Sequence, residues 1–135
     1  MHGQSEIRFL HNVVGAPSVN IFLGKELVVR NLSYGEITSY LTSVSGVVKV
    51  TVKTVEGSTT LIEKRVNLDR GQEATVIIGG TVQSLQVFVY QDQNGCSRSG
   101  YSCLRFIHNV EGAPKVDVYV NGKKVFTAIA YGQES

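Results

Sequence analysis

Two histidines are the residues whose type and spacing most suggest chemistry. His11 and His108 each precede a Gly-Ala-Pro turn and lie in matching sequence surroundings. A neutral imidazole is a common metal ligand, so the pair could form a metal or ligand site. Alternatively, each ring hydrogen-bonds the backbone of the following turn, as buried polar groups must. We favour this structural interpretation and predict no metal ligands.

Other residue types that carry catalysis are present but are not arranged for it. A serine nucleophile needs a base in hydrogen-bond reach and a group that orients the base, and no serine lies in a Gly-x-Ser-x-Gly turn. The acidic residues are spread singly, so a glycosidase pair would have to be assembled from distant carboxylates. The glycines form no phosphate-binding loop. We predict no catalytic residues and no cofactor, and a hydrolase stays a remote alternative.

The two cysteines bear on the compartment. Cys96 and Cys103 are the only ones in the chain and lie in a polar loop rich in Gly and Ser. An even count in such a loop predicts a small disulfide ring in an oxidising compartment. A zinc site is not expected, because two cysteines without a nearby histidine supply only half of its ligands. Free thiols are the main alternative. Asn31 begins a glycosylation triplet, which matters if the source is a eukaryote or a virus of one.

Charge and hydropathy exclude two classes of partner. The net charge is +2 and the basic residues are scattered, so no patch would neutralise several phosphates of a nucleic acid. No apolar run reaches the roughly 18 residues that cross a bilayer. The first residues contain no apolar leader region. We therefore expect either a cytosolic protein or a mature form whose leader has been removed.

Alternation of apolar and polar residues at period two predicts β-strands nearly throughout. The predicted strands cover residues 7–11, 18–23, 27–29, 37–43, 47–53, 59–68, 74–78 and 85–90. Gly, Pro, Asp and Ser lie between them, as in tight turns. Many short strands with turns at this spacing are typical of a sandwich. The predicted fold class is all-β, an Ig-like antiparallel β-sandwich.

An internal repeat organises the chain. Residues 7–38 return 97 positions later as residues 104–135, and 12 of these 32 aligned positions are identical. We expect a first β-sandwich repeat at 1–90 and a linker with the Cys loop at 91–103. Residues 104–135 are then a partial second repeat with its first two or three strands. The segment 92–95 superficially resembles a calcium loop, but it lacks the later acidic ligands and is interpreted as linker.

The partial repeat carries apolar residues that need a covering sheet. We predict them to be assembly strands: Val116, Val118, Val120, Val125, Phe126 and Ile129. Two or three strands alone are marginal in water. The first repeat, a neighbouring molecule or the rest of a longer protein would have to cover them. The first two options use a strand edge as an assembly device.

The stretch 116–122, Val-Asp-Val-Tyr-Val-Asn-Gly, resembles a known family when taken with His108 and the Ala-Pro pair before it. The family consists of secreted and cell-surface bacterial β-sandwich domains of unknown function. Its hallmark reads roughly Arg-(Phe/Val)-(Val/Ile)-His-Ala-Ser-Pro-Asp-Ala-Pro-x-Val-Asp-Val-Tyr-Val-Asn-Gly, often in tandem copies. Tyr34-Gly35 and Tyr40-Leu41 match later family features, whereas both copies lack the Ala-Ser-Pro-Asp segment. The resemblance implies a divergent member, an Ig-like sandwich at a surface, and no known reaction.

These observations favour a non-enzymatic structural or assembly module of an extracellular or cell-surface protein. It could be a filament or fibre subunit joined by strand addition, on a virion surface or in a secreted filament. The expected partners are copies of the chain or neighbouring repeats, with no nucleic acid and no membrane insertion. The alternative is an adhesion module that binds a carbohydrate or protein through loops at the sandwich ends.

Overall fold

The computed structural model describes residues 4–56, 59–92 and 105–134. These residues contain no helix, and so none that is long and apolar enough to cross a membrane. Contacts divide the chain into a first unit, Met1–Asp92, and a second unit, Gln93–Ser135. The strands are β1 (Gln4–His11), β2 (Val19–Leu23), β3 (Glu26–Leu32), β4 (Leu41–Val44), β5 (Gly46–Thr54), β6 (Thr60–Leu68), β7 (Glu73–Thr81), β8 (Ser84–Asp92), β9 (Val116–Val120) and β10 (Lys123–Ile129).

The first unit is a sandwich of two four-stranded sheets. One has the order β4-β1-β7-β8 and the other the order β3-β2-β5-β6. Neighbouring strands run antiparallel except β1 and β7, which are parallel. The predicted all-β sandwich is confirmed.

Period-two alternation turns one face of each strand into the core between the sheets. Along β1, Ile7 and Phe9 are completely buried while Arg8 between them is partly exposed. The core is apolar and mostly β-branched, which suits the buried face of a pleated strand. Its members are Ile7, Phe9, Val13, Val19, Ile21, Val29, Leu32, Val50, Val52, Val66, Leu68, Ala74, Val76, Ile78 and Val87.

The predicted strand over 37–43 is wrong in its first half. Ile37 makes only an isolated bridge to Leu10, and β4 begins at Leu41. Between these pairings, two residues of β1 face the three residues 38–40, so the extra residue forms a bulge. Thr38 fills the gap, because its N–H donates to the Phe9 carbonyl at 2.9 Å and its hydroxyl accepts from the Phe9 N–H at 3.0 Å.

The end of the first unit also differs from the expected boundary. β8 continues through Asp92, so the first two residues assigned to the linker belong to a sheet. The rest of the predicted linker, with Cys96 and Cys103, lies outside the described residues.

Within the second unit, the described residues form one antiparallel hairpin, β9 and β10. Asn121 and Gly122 join the two strands with φ of 52° and 79°, and a type I′ turn needs positive φ at both central residues. The segment equivalent to β1 contributes only an isolated bridge between Ile107 and Glu134. The second copy therefore shows two strands in the part of it that the structure describes.

Candidate functional site

The His11 ring is completely buried and bonded to backbone on both sides. Its Nε2 lies 3.0 Å from the Pro17 carbonyl oxygen, and the Val13 N–H donates to its Nδ1 at 3.3 Å. A carbonyl oxygen only accepts, so Nε2 is the donor in its contact, while Nδ1 is the acceptor in the other. Neither nitrogen keeps a free lone pair for a metal ion.

His108 has the same contacts in the second copy. Its Nε2 lies 2.9 Å from the Pro114 carbonyl oxygen, and the Val110 N–H donates to its Nδ1 at 3.3 Å. The ring is 3% exposed. These contacts support the structural interpretation of both histidines, because each ring hydrogen-bonds the backbone of the turn that follows it.

A tyrosine packs on each of these rings. Tyr34 meets His11 edge to face with ring centres 6.2 Å apart, and Tyr131 meets His108 at the same distance. The glycine after each tyrosine has a φ of 87° and 85°, respectively, a conformation that glycine adopts without steric cost. Its N–H donates to the histidine carbonyl at 2.8 Å in the first copy and 2.6 Å in the second. Each histidine thus joins two turns through its ring and its backbone.

A second cluster joins β1, β7 and β8 with the bulge before β4. The Arg8 Nε–H donates to the Thr75 hydroxyl at 2.9 Å, and that hydroxyl donates to the Asp92 carboxylate at 2.8 Å. The Tyr40 hydroxyl also donates to Asp92, and the Arg8 guanidinium lies 4.8 Å from the centre of the Tyr40 ring. Sequence analysis missed this cluster, although Tyr40 was part of the family resemblance.

The electrostatics of this cluster favour a structural role, in which it fixes the end of β8, over proton transfer. Burial, followed by the hydrogen bond to Asp92, raises the pKa of Tyr40 to about 12. A phenol that holds its proton this firmly is a donor at neutral pH, not a base or nucleophile. The Asp92 side chain is only 8% exposed and lies 3.7 Å from the Arg8 Nε. The carboxylate is therefore enclosed and compensated, which fixes the end of β8.

The edge of β9 distinguishes the second copy from the first. In the first unit β2 pairs with β3 on one side and with β5 on the other. β9 and β10 occupy the repeat positions of β2 and β3 with the same register. Among the described residues β9 pairs only with β10, so its other edge presents backbone donors and acceptors for a further strand.

The apolar face of this hairpin is less covered than its equivalent in the first unit. Val118 and Phe126 are partly exposed, whereas their counterparts Ile21 and Val29 are 0% and 8% exposed. A groove of about 500 Å³ runs beside β10. Of the predicted assembly residues, Val116, Val118 and Val120 lie on β9; Val125, Phe126 and Ile129 lie on β10 and line the groove.

Asp117 organises the polar side of the hairpin. Its Oδ1 accepts the Ala128 N–H at 2.7 Å, and its Oδ2 lies 3.2 Å from the Lys124 Nζ. These two contacts, the backbone one first, hold the pKa of the Asp117 carboxyl below its usual value. Asn20 takes the same role in the first unit, where its Oδ1 accepts the Asn31 N–H at 2.8 Å.

Two sequence-predicted sites remain to be placed. Asn31 is exposed near the end of β3, and the hydroxyl of Ser33 in its triplet lies 2.8 Å from the Ser18 hydroxyl. The predicted disulfide between Cys96 and Cys103 falls outside the described residues.

The fold and its internal repeat define a β-sandwich repeat protein. A comparison with curated proteins found no match. The family model described as Domain of unknown function (DUF4397) matches residues 5–116. The chain belongs to this family, which confirms the expectation of a domain family of unknown function. The match runs from β1 through the first unit to the first residue of β9.

Proposed function

We propose that the protein is a non-enzymatic structural module that assembles with further copies through its second repeat. The observation that carries the proposal is the hairpin β9–β10. It reproduces β2–β3 in length and register, yet no described strand takes the place that β5 takes beside β2.

Physical chemistry supports a covered state of this hairpin. A two-stranded sheet with one apolar face is marginal in water, and each Å² of apolar surface removed from water stabilises the covered state by about 25 cal/mol. Val120 and Val125 are 39% and 41% exposed. Association that covers this face and pairs the β9 edge therefore lowers the free energy of the hairpin.

The side-chain chemistry supports a role without catalysis. In His11 and in His108, both ring nitrogens form hydrogen bonds with backbone groups. The Tyr40–Asp92 pair holds its proton rather than passing it on. We place the module outside the cell or on a surface, because the resemblance is to surface domains and the cysteine pair suits an oxidising compartment.

Sedimentation of the purified chain over a range of concentrations tests the proposal. We expect oligomers that grow with concentration, and we expect Val118→Asn to shift the chain to monomer because it places an amide on the apolar face. Val47→Asn is the matched control: it makes the same substitution in the first unit, at a residue that is 69% exposed, and should leave the oligomers intact. A wild-type chain that stays monomeric at every concentration would contradict the proposal.

A second candidate is adhesion through the loops at one sandwich end. Val14 and Val82 are 71% and 47% exposed. A Cβ added at Gly15, the residue after Val14, would lie 3.9 Å from the Val82 side chain, so two aliphatic side chains share this end. Glycan-array or pull-down binding that is abolished by Val14→Ser with Val82→Ser would favour adhesion. Binding that the double substitution leaves unchanged would argue against it.

A further inference from the structure

The open edge of β9 has the features of an acceptor for one kind of strand. We infer that it binds an extended antiparallel segment of the β5 type, with a lysine or arginine opposite Asp117 and β-branched apolar residues opposite Val118 and Val120. The inference rests on the proposed assembly function and specifies the chemistry of the partner.

The register comes from the first unit. There β5 lies antiparallel to β2, with Val52 beside Ile21 and Lys53 beside Asn20. β9 occupies the repeat positions of β2, and its register with β10 matches that of β2 with β3. A strand that pairs with β9 as β5 pairs with β2 therefore meets the same pattern of backbone donors and acceptors.

The apolar positions follow from that register. Val52 and Ile21 are both completely buried in the first unit. Val118 is the counterpart of Ile21 and is partly exposed. A β-branched residue opposite Val118 would remove both side chains from water, as cross-strand pairs on one face do.

The charge preference comes from one difference between the copies. The Asn20 amide donates to the Val55 carbonyl oxygen at 3.2 Å, whereas the carboxylate of Asp117 has no hydrogen to donate. An incoming strand must therefore supply a donor at this position. β5 already carries Lys53 there, with its Nζ 5.0 Å from the centre of the Phe22 ring, and Tyr119 is the counterpart of Phe22.

Lys124 shows that the position suits an ammonium group. Its Nζ lies 3.2 Å from Asp117 Oδ2 and 5.8 Å from the centre of the Tyr119 ring. A carboxylate offers about four acceptor sites, and the Ala128 N–H and the Lys124 ammonium group take two of them. Room remains for one further cationic donor on the strand side.

A fluorescent peptide with the sequence of Gly46–Thr54, titrated with the dilute full-length chain, tests the inference by anisotropy. We expect the wild-type chain to bind this peptide about fivefold more tightly than the same peptide with Lys53→Glu, the size of effect that a partly exposed charge pair gives. Asp117→Asn keeps an oxygen for the Ala128 N–H, as Asn20 does for Asn31, and should reduce the ratio to less than about twofold. Val118→Asn should weaken both peptides, whereas Tyr119→Phe, which keeps the ring, should not.

The outcomes separate this inference from the proposed function. Peptide-induced amide shifts in β9 support the inference; shifts confined to the sheet edges β3 or β6, or equal affinity for the two peptides, overturn it. If the chain self-associates but does not bind the peptide, the inferred sequence of the partner strand is wrong and the assembly function stands. If the peptide binds at β9 while the chain alone stays monomeric, self-assembly is wrong and the acceptor edge stands.

Discussion

The two copies of the repeat share local structure and differ in what surrounds it. Both form the same histidine contacts and the same strand–turn–strand hairpin. In the part of the chain that the structure describes, only the first copy has a full strand at the position of β1, paired to β4 and β7. Among the described residues, the equivalent segment of the second copy has a single bridge, from Ile107 to Glu134.

The difference follows from where the hydrogen-bond partners of each feature lie in the sequence. The partners in the hairpin and in the histidine contacts of the second copy all lie within residues 105–134. A central strand such as β1 takes its hydrogen bonds from distant segments and exists only beside them. The arginine that both copies share follows the same rule: Arg8 binds Thr75 and lies near Asp92, whereas Arg105 pairs with Glu134 at 3.5 Å.

The largest expected effect comes from replacing the same phenylalanine in each copy. Phe9 is 0% exposed in the first core, so Phe9→Ala should lower the free energy of unfolding by about 3–5 kcal/mol. Phe106, its counterpart, is only partly buried, and Phe106→Ala should cost about 1–2 kcal/mol. Urea unfolding of both variants measures the two values. Equal losses would show that the second copy has a core as complete as the first.

The histidines give the next test. His11→Ala leaves the Val13 N–H and the Pro17 carbonyl without their buried partner and should cost about 2–4 kcal/mol of unfolding free energy. His108→Ala removes the same two bonds from a less enclosed segment, so it should cost less while speeding hydrogen exchange at Val110. Exchange at Val110 that is unchanged in His108→Ala would contradict the shared structural role.

Much of this organisation follows from the sequence. Period two places the strands, and the repeat with its 97-residue offset identifies the equivalent positions. The bulge at 38–40 was not predicted, because only the pairing with β1 reveals the extra residue. The Arg8–Asp92 cluster was missed for the same reason: its members lie far apart in sequence, and Asp92 was assigned to the linker. Both features depend on strand neighbours that a local pattern does not identify.

Tyr40 tests the long-range cluster that distinguishes the first copy. Tyr40→Phe removes the hydrogen bond to Asp92 and should cost about 1–2 kcal/mol at neutral pH. Because the folded state raises the pKa of Tyr40 from 10.0 to about 12, the unfolded chain releases this proton first as pH rises. The stability that Tyr40 contributes is therefore fully present below pH 10 and is lost as pH rises toward 12.

Urea unfolding of wild type and Tyr40→Phe at neutral and alkaline pH measures this loss. The gap between the two proteins should narrow with rising pH, since the other tyrosines titrate in both. Tyr34→Phe is the matched control, because its ring is half exposed and lies outside the cluster. A gap that widens with pH would mean that the folded state favours the ionised phenol.

The smallest expected effect comes from exchanging one residue between the copies. Asn31 and Ala128 occupy the same repeat position in the two hairpins, with φ of 54° and 55°. Asparagine tolerates this left-handed conformation better than alanine, whose Cβ crowds the backbone there. Ala128→Asn should therefore stabilise the second hairpin and Asn31→Ala should destabilise the first, each by about 0.5–1 kcal/mol. Asn31→Gly, which keeps the conformation without the side chain, should cost less than Asn31→Ala. If Asn31→Gly and Asn31→Ala cost the same, the backbone angle is not the cause, and the two copies differ at this position through side-chain contacts instead.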